Sequence, residues 1–131
     1  PPTMPQPKAR ELSQDEMNLL EEGLEEFDNG RYWHAHESWE DLWNSLKRRF
    51  APPEEVLLVQ GMIQTSALLL HYENKNHRGV TSQWKKLHPK LQDWGVAWGL
   101  DIATHLTAIE TFAADVNLWS KDPRGHLFPR A

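Results

Sequence analysis

The sequence predicts an all-α fold, a compact five-helix bundle built from two antiparallel helical hairpins plus a C-terminal helix. Two observations carry that reading. Apolar residues recur three and four apart through most of the chain, and short groups of turn and cap residues interrupt them at helix-length intervals. A weak internal repeat at an offset of 45 residues adds to it, pairing Leu24 with Leu69, Phe27 with Tyr72, Ala35 with Val80, Trp39 with Trp84 and Leu42 with Leu87. Two stacked hairpins follow, each burying a face that neither could bury alone. No sheet is expected.

The first helix is expected at about residues 14–28. Ser13 and Glu16 form a capping box, Met17, Leu20, Leu24 and Phe27 follow at helical spacing, and Gly30 supplies a stop. The second spans about 31–49, with Tyr32, Ala35, Trp39, Leu42, Trp43 and Leu46 on one broad stripe that Ala51-Pro52-Pro53 closes. Pro53 suits a first helical turn and Glu54 and Glu55 suit the positive end of a helix dipole, so the third helix runs from about 53 to 73. After the Asn74-Lys75-Asn76 turn, Val80, Trp84 and Leu87 mark a fourth helix that Pro89 is expected to kink or end. Asp101 is a good N-cap for the last helix, in which Ile102, Leu106, Ile109, Phe112 and Val116 repeat. Residues 1–12 read as a flexible Pro-rich arm, 13–118 as one helical domain and 119–131 as an irregular tail. The core is expected to hold Leu24, Phe27, Trp39, Leu42, Leu58, Ile63, Leu69, Trp84 and Ile109.

Composition narrows the function classes. With 131 residues the chain suffices for one domain, and seven Trp do not suit a disordered chain. The absence of Cys excludes disulfides, thiolate metal sites and thiol nucleophiles. A net charge of -5 argues against nucleic acid and anionic membranes as partners, since both require clustered positive charge. The most apolar stretch, residues 56–70, is broken by Gln60, Gly61, Gln64, Thr65 and Ser66, short of the about 18 clean residues that span a bilayer. The opening PPTMPQPK lacks a signal-peptide core, and the expected setting is cytoplasmic. Seven Trp also exceed what one small core readily hides, so a homodimer is expected, with Trp94, Trp98 or Trp119 at its contact.

The stretch His34 to Trp43 carries the chemistry. His36 and Glu40 lie four apart on one helical face with Trp43 a turn further, and helix 3 carries a companion stripe of Gln60, Gln64, Ala67 and His71. A short connection makes helices 2 and 3 antiparallel neighbours, which sets Glu40 level with Gln64, Trp43 with Gln60, and His36 with Ala67, a turn from His71. A buried His/Glu/Gln cluster between the helices would result. Three readings of it stand side by side. It can be a self-satisfying structural network, as buried polar groups usually are. It can be a two-His-one-carboxylate metal set of His36, Glu40 and His71, with Glu37 available as a fourth ligand. Or it can be a metal-free ligand or catalytic pocket in which His36, Glu37 and Glu40 do acid–base work, with Gln60, Gln64, His71 and Trp43 as binding residues. The zincin helix is absent, since Glu40 stands where its second His would be, and no phosphate-cradling Gly loop occurs. No cofactor and no tightly bound metal are expected. The opposing structural-only reading makes the chain a helical interaction module. His105 reads as surface or half-buried, and His77, His88 and His126 as solvated.

The run Phe27-Asp28-Asn29-Gly30-Arg31-Tyr32-Trp33-His34-Ala35-His36-Glu37-Ser38-Trp39-Glu40-Asp41-Leu42-Trp43 resembles the signature of the DUF309 family, small all-helical proteins of unknown function. The resemblance continues through Gln60 to Gln64, His71, the Asn76 to Gly79 turn and Gly99-Leu100-Asp101, over roughly residues 17–115. It implies a compact helical bundle whose recurrent polar positions are His36, Glu37, Glu40, Gln60 and His71, and it implies no established reaction.

Overall fold

The computed structural model describes residues 6–131 and contains the five expected helices: α1 (Gln14–Asp28), α2 (Tyr32–Arg48), α3 (Pro53–Glu73), α4 (His77–Leu91) and α5 (Ile102–Ala113). α1 packs on α2, α2 on α3 and α3 on α4, while α5 lies against α4 and α3. The central helix α3 is apolar on nearly every side. It buries Leu58, Val59, Met62, Ile63, Leu68, Leu69 and Tyr72, as a helix flanked by neighbours must.

Local chemistry sets the boundaries. The Ser13 hydroxyl accepts the Glu16 N–H at 3.1 Å and Glu16 Oε1 accepts the Ser13 N–H at 2.9 Å, which completes the capping box. Glu16 also takes the Arg49 guanidinium, with Nε donating to Oε2 at 2.7 Å. Burial pushes the Glu16 carboxyl up, but the Arg49 and Ser13 hydrogen bonds outweigh it and hold the group below the ordinary carboxylate value. The pair thus ties the start of α1 to the end of α2. Asp101 caps α5 by accepting the Thr104 N–H at 3.0 Å.

The 45-residue repeat extends into the turns. Gly30 (φ 74°) and Lys75 (φ 53°) are both left-handed, and each turn closes with the same two bonds: Gly30 N–H to Phe27 O and Arg31 N–H to Glu26 O in one, Lys75 N–H to Tyr72 O and Asn76 N–H to His71 O in the other. A side chain in this region costs about 1–2 kcal/mol, partly offset by the greater freedom of an unfolded Gly. Lys75→Gly is therefore expected to stabilise the protein by about 0.5–1 kcal/mol. A urea midpoint that rises checks it.

Four corrections concern the fold. Trp84 is half-buried rather than a core residue like its repeat mate Trp39, because α2 is sandwiched between α1 and α3 whereas α4 is covered chiefly by α3. Trp39 is fully buried, its Nε1–H donates to Leu20 O at 3.2 Å, and its ring fills the notch at Gly23, where a Cβ would lie 2.1 Å from Nε1. Pro89 neither ends nor bounds α4, which continues to Leu91; Pro89 and Lys85 are both exposed, so water can take the carbonyl that Pro leaves without a donor. A small sheet does form, β1 (Val96–Ala97) antiparallel to β2 (Leu100–Asp101), turned by Trp98 (φ 51°) and Gly99 (φ 77°). Trp94 is 3% exposed and so cannot serve as a contact residue, and Trp98 and Trp119 are half-buried against the core. The large apolar side chains at the surface are others, among them Phe50 at 92% and Leu118 at 76%.

The segments flanking the helices are tied to them. Residues 1–5 of the Pro-rich stretch lie outside the described residues. Residues 6–12 have no regular secondary structure, yet Leu12 is buried, Arg10 N–H donates to Glu55 at 3.1 Å and Arg10 O accepts the Trp98 indole N–H at 2.8 Å. Residues 129–131 lie along the hairpin, with Asp101 N–H bonded to Pro129 O and Ala131 N–H to Gly99 O. Phe128 is buried, and Asp28 accepts the Phe128 N–H and pairs with Arg130.

Candidate functional site

The buried face of α2 carries Ala35, Trp39, Leu42 and Leu46, and the first three each stand one position before a member of the stripe His36, Glu40 and Trp43. One residue is about 100° of helix rotation, so the stripe falls on the rim of that face instead of inside it. The buried His/Glu/Gln cluster expected from the sequence is therefore not formed. The His36 side chain is 25% exposed and that of Glu40 47%, Gln60, Gln64 and His71 are half-buried, and Glu37 is exposed.

The rim holds a cleft of about 170 Å³, lined by Tyr32, Trp33 and His36 from α2 and by Ser66, Ala67, Leu70 and His71 from α3. His36 opposite Ala67, with His71 a turn away, is the register expected of an antiparallel pair. Trp33 stacks on the His36 ring at 5.2 Å between centroids and 15° between planes. His36 Nδ1 is buried without a hydrogen bond, and Glu40 Oε2 lies 3.6 Å from it. His71 Nδ1 lies 3.2 Å from the Asn76 side-chain amide, and its ring is pressed against the first turn of α4, where a Cβ on Gly79 would come within 2.5 Å of Cγ and Nδ1. Ser66 spends its hydroxyl on Ile63 O at 2.7 Å, so the cleft's polar character resides in the two imidazoles.

The other expected site residues point elsewhere. Gln64 Oε1 accepts Lys90 Nζ at 2.9 Å, toward α4. The Lys90 ammonium is held below its ordinary value by burial and by the nearby Lys86 charge. Trp43 carries Lys47 Nζ 3.4 Å above its ring, a cation–π contact, and its indole N–H is buried without a partner. Neither Gln60 nor Glu37 lines the cleft. Among the described residues no three His, Asp or Glu side chains are gathered to hold an ion, so the alternative metal set His36, Glu40 and His71 is not assembled.

Sequence reasoning missed Tyr32, Trp33 and Leu70 as cleft residues. Trp33 could have been found as the aromatic three residues before His36, and Leu70 as the position that the same register sets opposite it.

The principal buried polar assembly lies elsewhere, and it corrects the expectations for two histidines. His105 is fully buried and His126 half-buried. Thr65 Oγ1 donates to Met62 O at 2.7 Å, so it must accept from His105 Nε2 at 3.0 Å; His105 Nδ1 is then the acceptor for His126 Nε2–H at 3.0 Å. His105 stacks on Phe128 with centroids 3.9 Å apart. Burial pushes the His105 pKa well below its ordinary value, with the neighbouring His126 adding to the shift; burial likewise lowers His126, opposed by Asp28. A second network joins Tyr72 Oη to Asp115, which also accepts from Ser120.

A model of the DUF309 family, described as a domain of unknown function, matches residues 20–83. No curated protein and no solved structure matches the chain. The matched stretch holds most of both hairpins and every residue of the α2–α3 cleft, and over these residues the chain is similar to the DUF309 family.

Proposed function

We propose that the α2–α3 cleft is a binding site for a small, largely apolar molecule carrying a polar head, with His36 and His71 as the groups that engage the head. The observation that supports this is the convergence of two imidazoles on one cleft of about 170 Å³ whose remaining walls are aromatic or aliphatic. That space is similar to the roughly 150 Å³ apolar cavity known to take benzene, and small-molecule sites are typically apolar with a few placed polar groups. Glu40 sits behind His36 as the carboxylate that would orient the imidazole, the arrangement by which a histidine base is steered in acid–base sites. The setting in this reading is cytoplasmic.

A fragment screen by saturation-transfer NMR tests it. Benzene-sized fragments are expected to bind the native protein and to lose binding on Ala67→Leu, which fills the cleft from its wall, with the far-UV circular dichroism unchanged. Fragments that bind both proteins equally would place the site elsewhere.

A further inference from the structure

We propose that the α2–α3 cleft selects a neutral planar amide, one that presents a C=O and an N–H side by side, over an apolar molecule of the same size and over a carboxylate. The inference rests on the reading of the cleft as a small-molecule site and adds the class of molecule it takes. It follows from the proton positions that a hydrogen bond at His71 and a facing carboxylate at His36 favour on the two imidazoles.

At His71 the chain of reasoning starts in the α4 cap. Asn76 Oδ1 accepts the Gly79 N–H at 3.0 Å, which fixes the orientation of the Asn76 amide and leaves its Nδ2 as the group 3.2 Å from His71 Nδ1. An amide nitrogen only donates, so His71 Nδ1 is the acceptor and the ring proton sits on Nε2. The backbone at Gly79 presses on the Cγ and Nδ1 edge, so the ring cannot swing toward α4. At His36 the situation is the mirror image. Its Nδ1 is buried without a hydrogen-bond partner and faces an acceptor-only carboxylate, Glu40 Oε2 at 3.6 Å, which favours an N–H over a lone pair at that position. The proton therefore belongs on His36 Nδ1, and Nε2 carries a lone pair.

Both rings line the cleft, and their Nδ1 atoms are engaged by Asn76 and faced by Glu40, which leaves Nε2 as the nitrogen each ring can offer an occupant. The cleft then offers one donor, from His71, and one acceptor, from His36. An amide answers both, its C=O accepting from His71 and its N–H donating to His36, while Trp33, Tyr32, Ala67 and Leu70 cover its faces. An apolar molecule desolvates both nitrogens without pairing either. A carboxylate has no donor for His36 and brings its charge toward Glu40.

The test is an NMR titration at pH 8 with three probes: 2-pyridone, a benzene-sized ring amide; benzene; and benzoate. The expected result is a dissociation constant for 2-pyridone at least about tenfold below those of the other two, falling to within about threefold of benzene in His36→Leu and in His71→Leu. Long-range ¹H–¹⁵N spectra of the free protein are expected to show protonated Nδ1 at His36 and protonated Nε2 at His71. Equal binding of 2-pyridone and benzene, tightest binding of benzoate, or the opposite tautomers would overturn the selectivity while leaving the cleft as a small-molecule site. Failure of all three probes to bind would overturn both.

Discussion

Phe27→Ala is expected to cost about 3–5 kcal/mol of unfolding free energy, a large share of the stability of a domain of this size. The side chain is fully buried at the end of α1, and its ring meets five others: Tyr32 at 5.2 Å, Trp39 at 5.7 Å, His105 at 5.5 Å, His126 at 5.9 Å and Phe128 at 5.5 Å between centroids. Those partners come from α2, α5 and the C-terminal tail, so the truncation opens a cavity where three parts of the chain are joined. None of these partners can collapse into the space alone, because Trp39 is pinned by its bond to Leu20 and His105 by its bond to Thr65. Urea denaturation measures the loss. Leu118→Ala, at a side chain 76% exposed, is the control and should fall within about 0.5 kcal/mol of the native protein. If the Phe27 variant behaves like the Leu118 variant, the joint is not where the fold is held.

Much of this architecture was legible because several helices carried local start or stop chemistry. Ser13 with Glu16, Pro53 and Asp101 fix N-termini locally, and Gly30 fixes a C-terminus, so no long-range information was needed. The antiparallel register of α2 and α3 followed from a short connection, and it brought His36 and His71 to one cleft. The depth of the polar stripe was not legible. A single position decides whether a residue is buried or lies at the edge of the buried face, and Trp39 and Leu42, anchored in the core, rotate His36 and Glu40 to that edge. Long-range partners were hidden as well. His105 stands in phase with Ile102, Ile109 and Phe112, which is why it is buried, yet its place near the start of the helix reads from sequence as surface or half-buried. Its partners His126 and Phe128, however, come from a segment without periodicity, and only the folded chain shows them stacked on it. Lys75 is a comparable case: a left-handed turn position normally advertised by Gly carries a Lys here, and the 45-residue offset from Gly30 was the available sign.

The His105–His126 contact makes the fold sensitive to pH in a window that carboxylates do not share. His105 uses Nε2–H on Thr65 and needs Nδ1 unprotonated to accept from His126; a second proton would set two N–H groups against each other at 3.0 Å inside a site closed by Phe27 and Phe128. The charged groups near this pair are Asp28, which attracts a proton on His126, and Arg130, which is paired to Asp28. Both histidines have pKa values depressed in the folded state, so below about 6.5 the unfolded chain binds more protons than the folded one. Their contribution is complete above that pH and is lost as pH falls below it toward the folded values. For His105 alone the loss is at most about 1.4 kcal/mol for each pH unit between the ordinary histidine value and its lowered folded one. Glu16, Asp101 and Asp115, whose folded pKa values are lowered, contribute their losses only at more acidic pH, below the ordinary carboxylate range. Urea unfolding at pH 7.5, 6 and 5 is therefore expected to show a progressive decline in stability, with most of it below pH 6.5. His105→Gln keeps a side-chain donor for Thr65 but cannot titrate, so it should lower stability at pH 7.5 and flatten the decline. A native protein as stable at pH 5 as at pH 7.5, or a His105→Gln variant with the native pH slope, would show that the buried imidazole does not govern it.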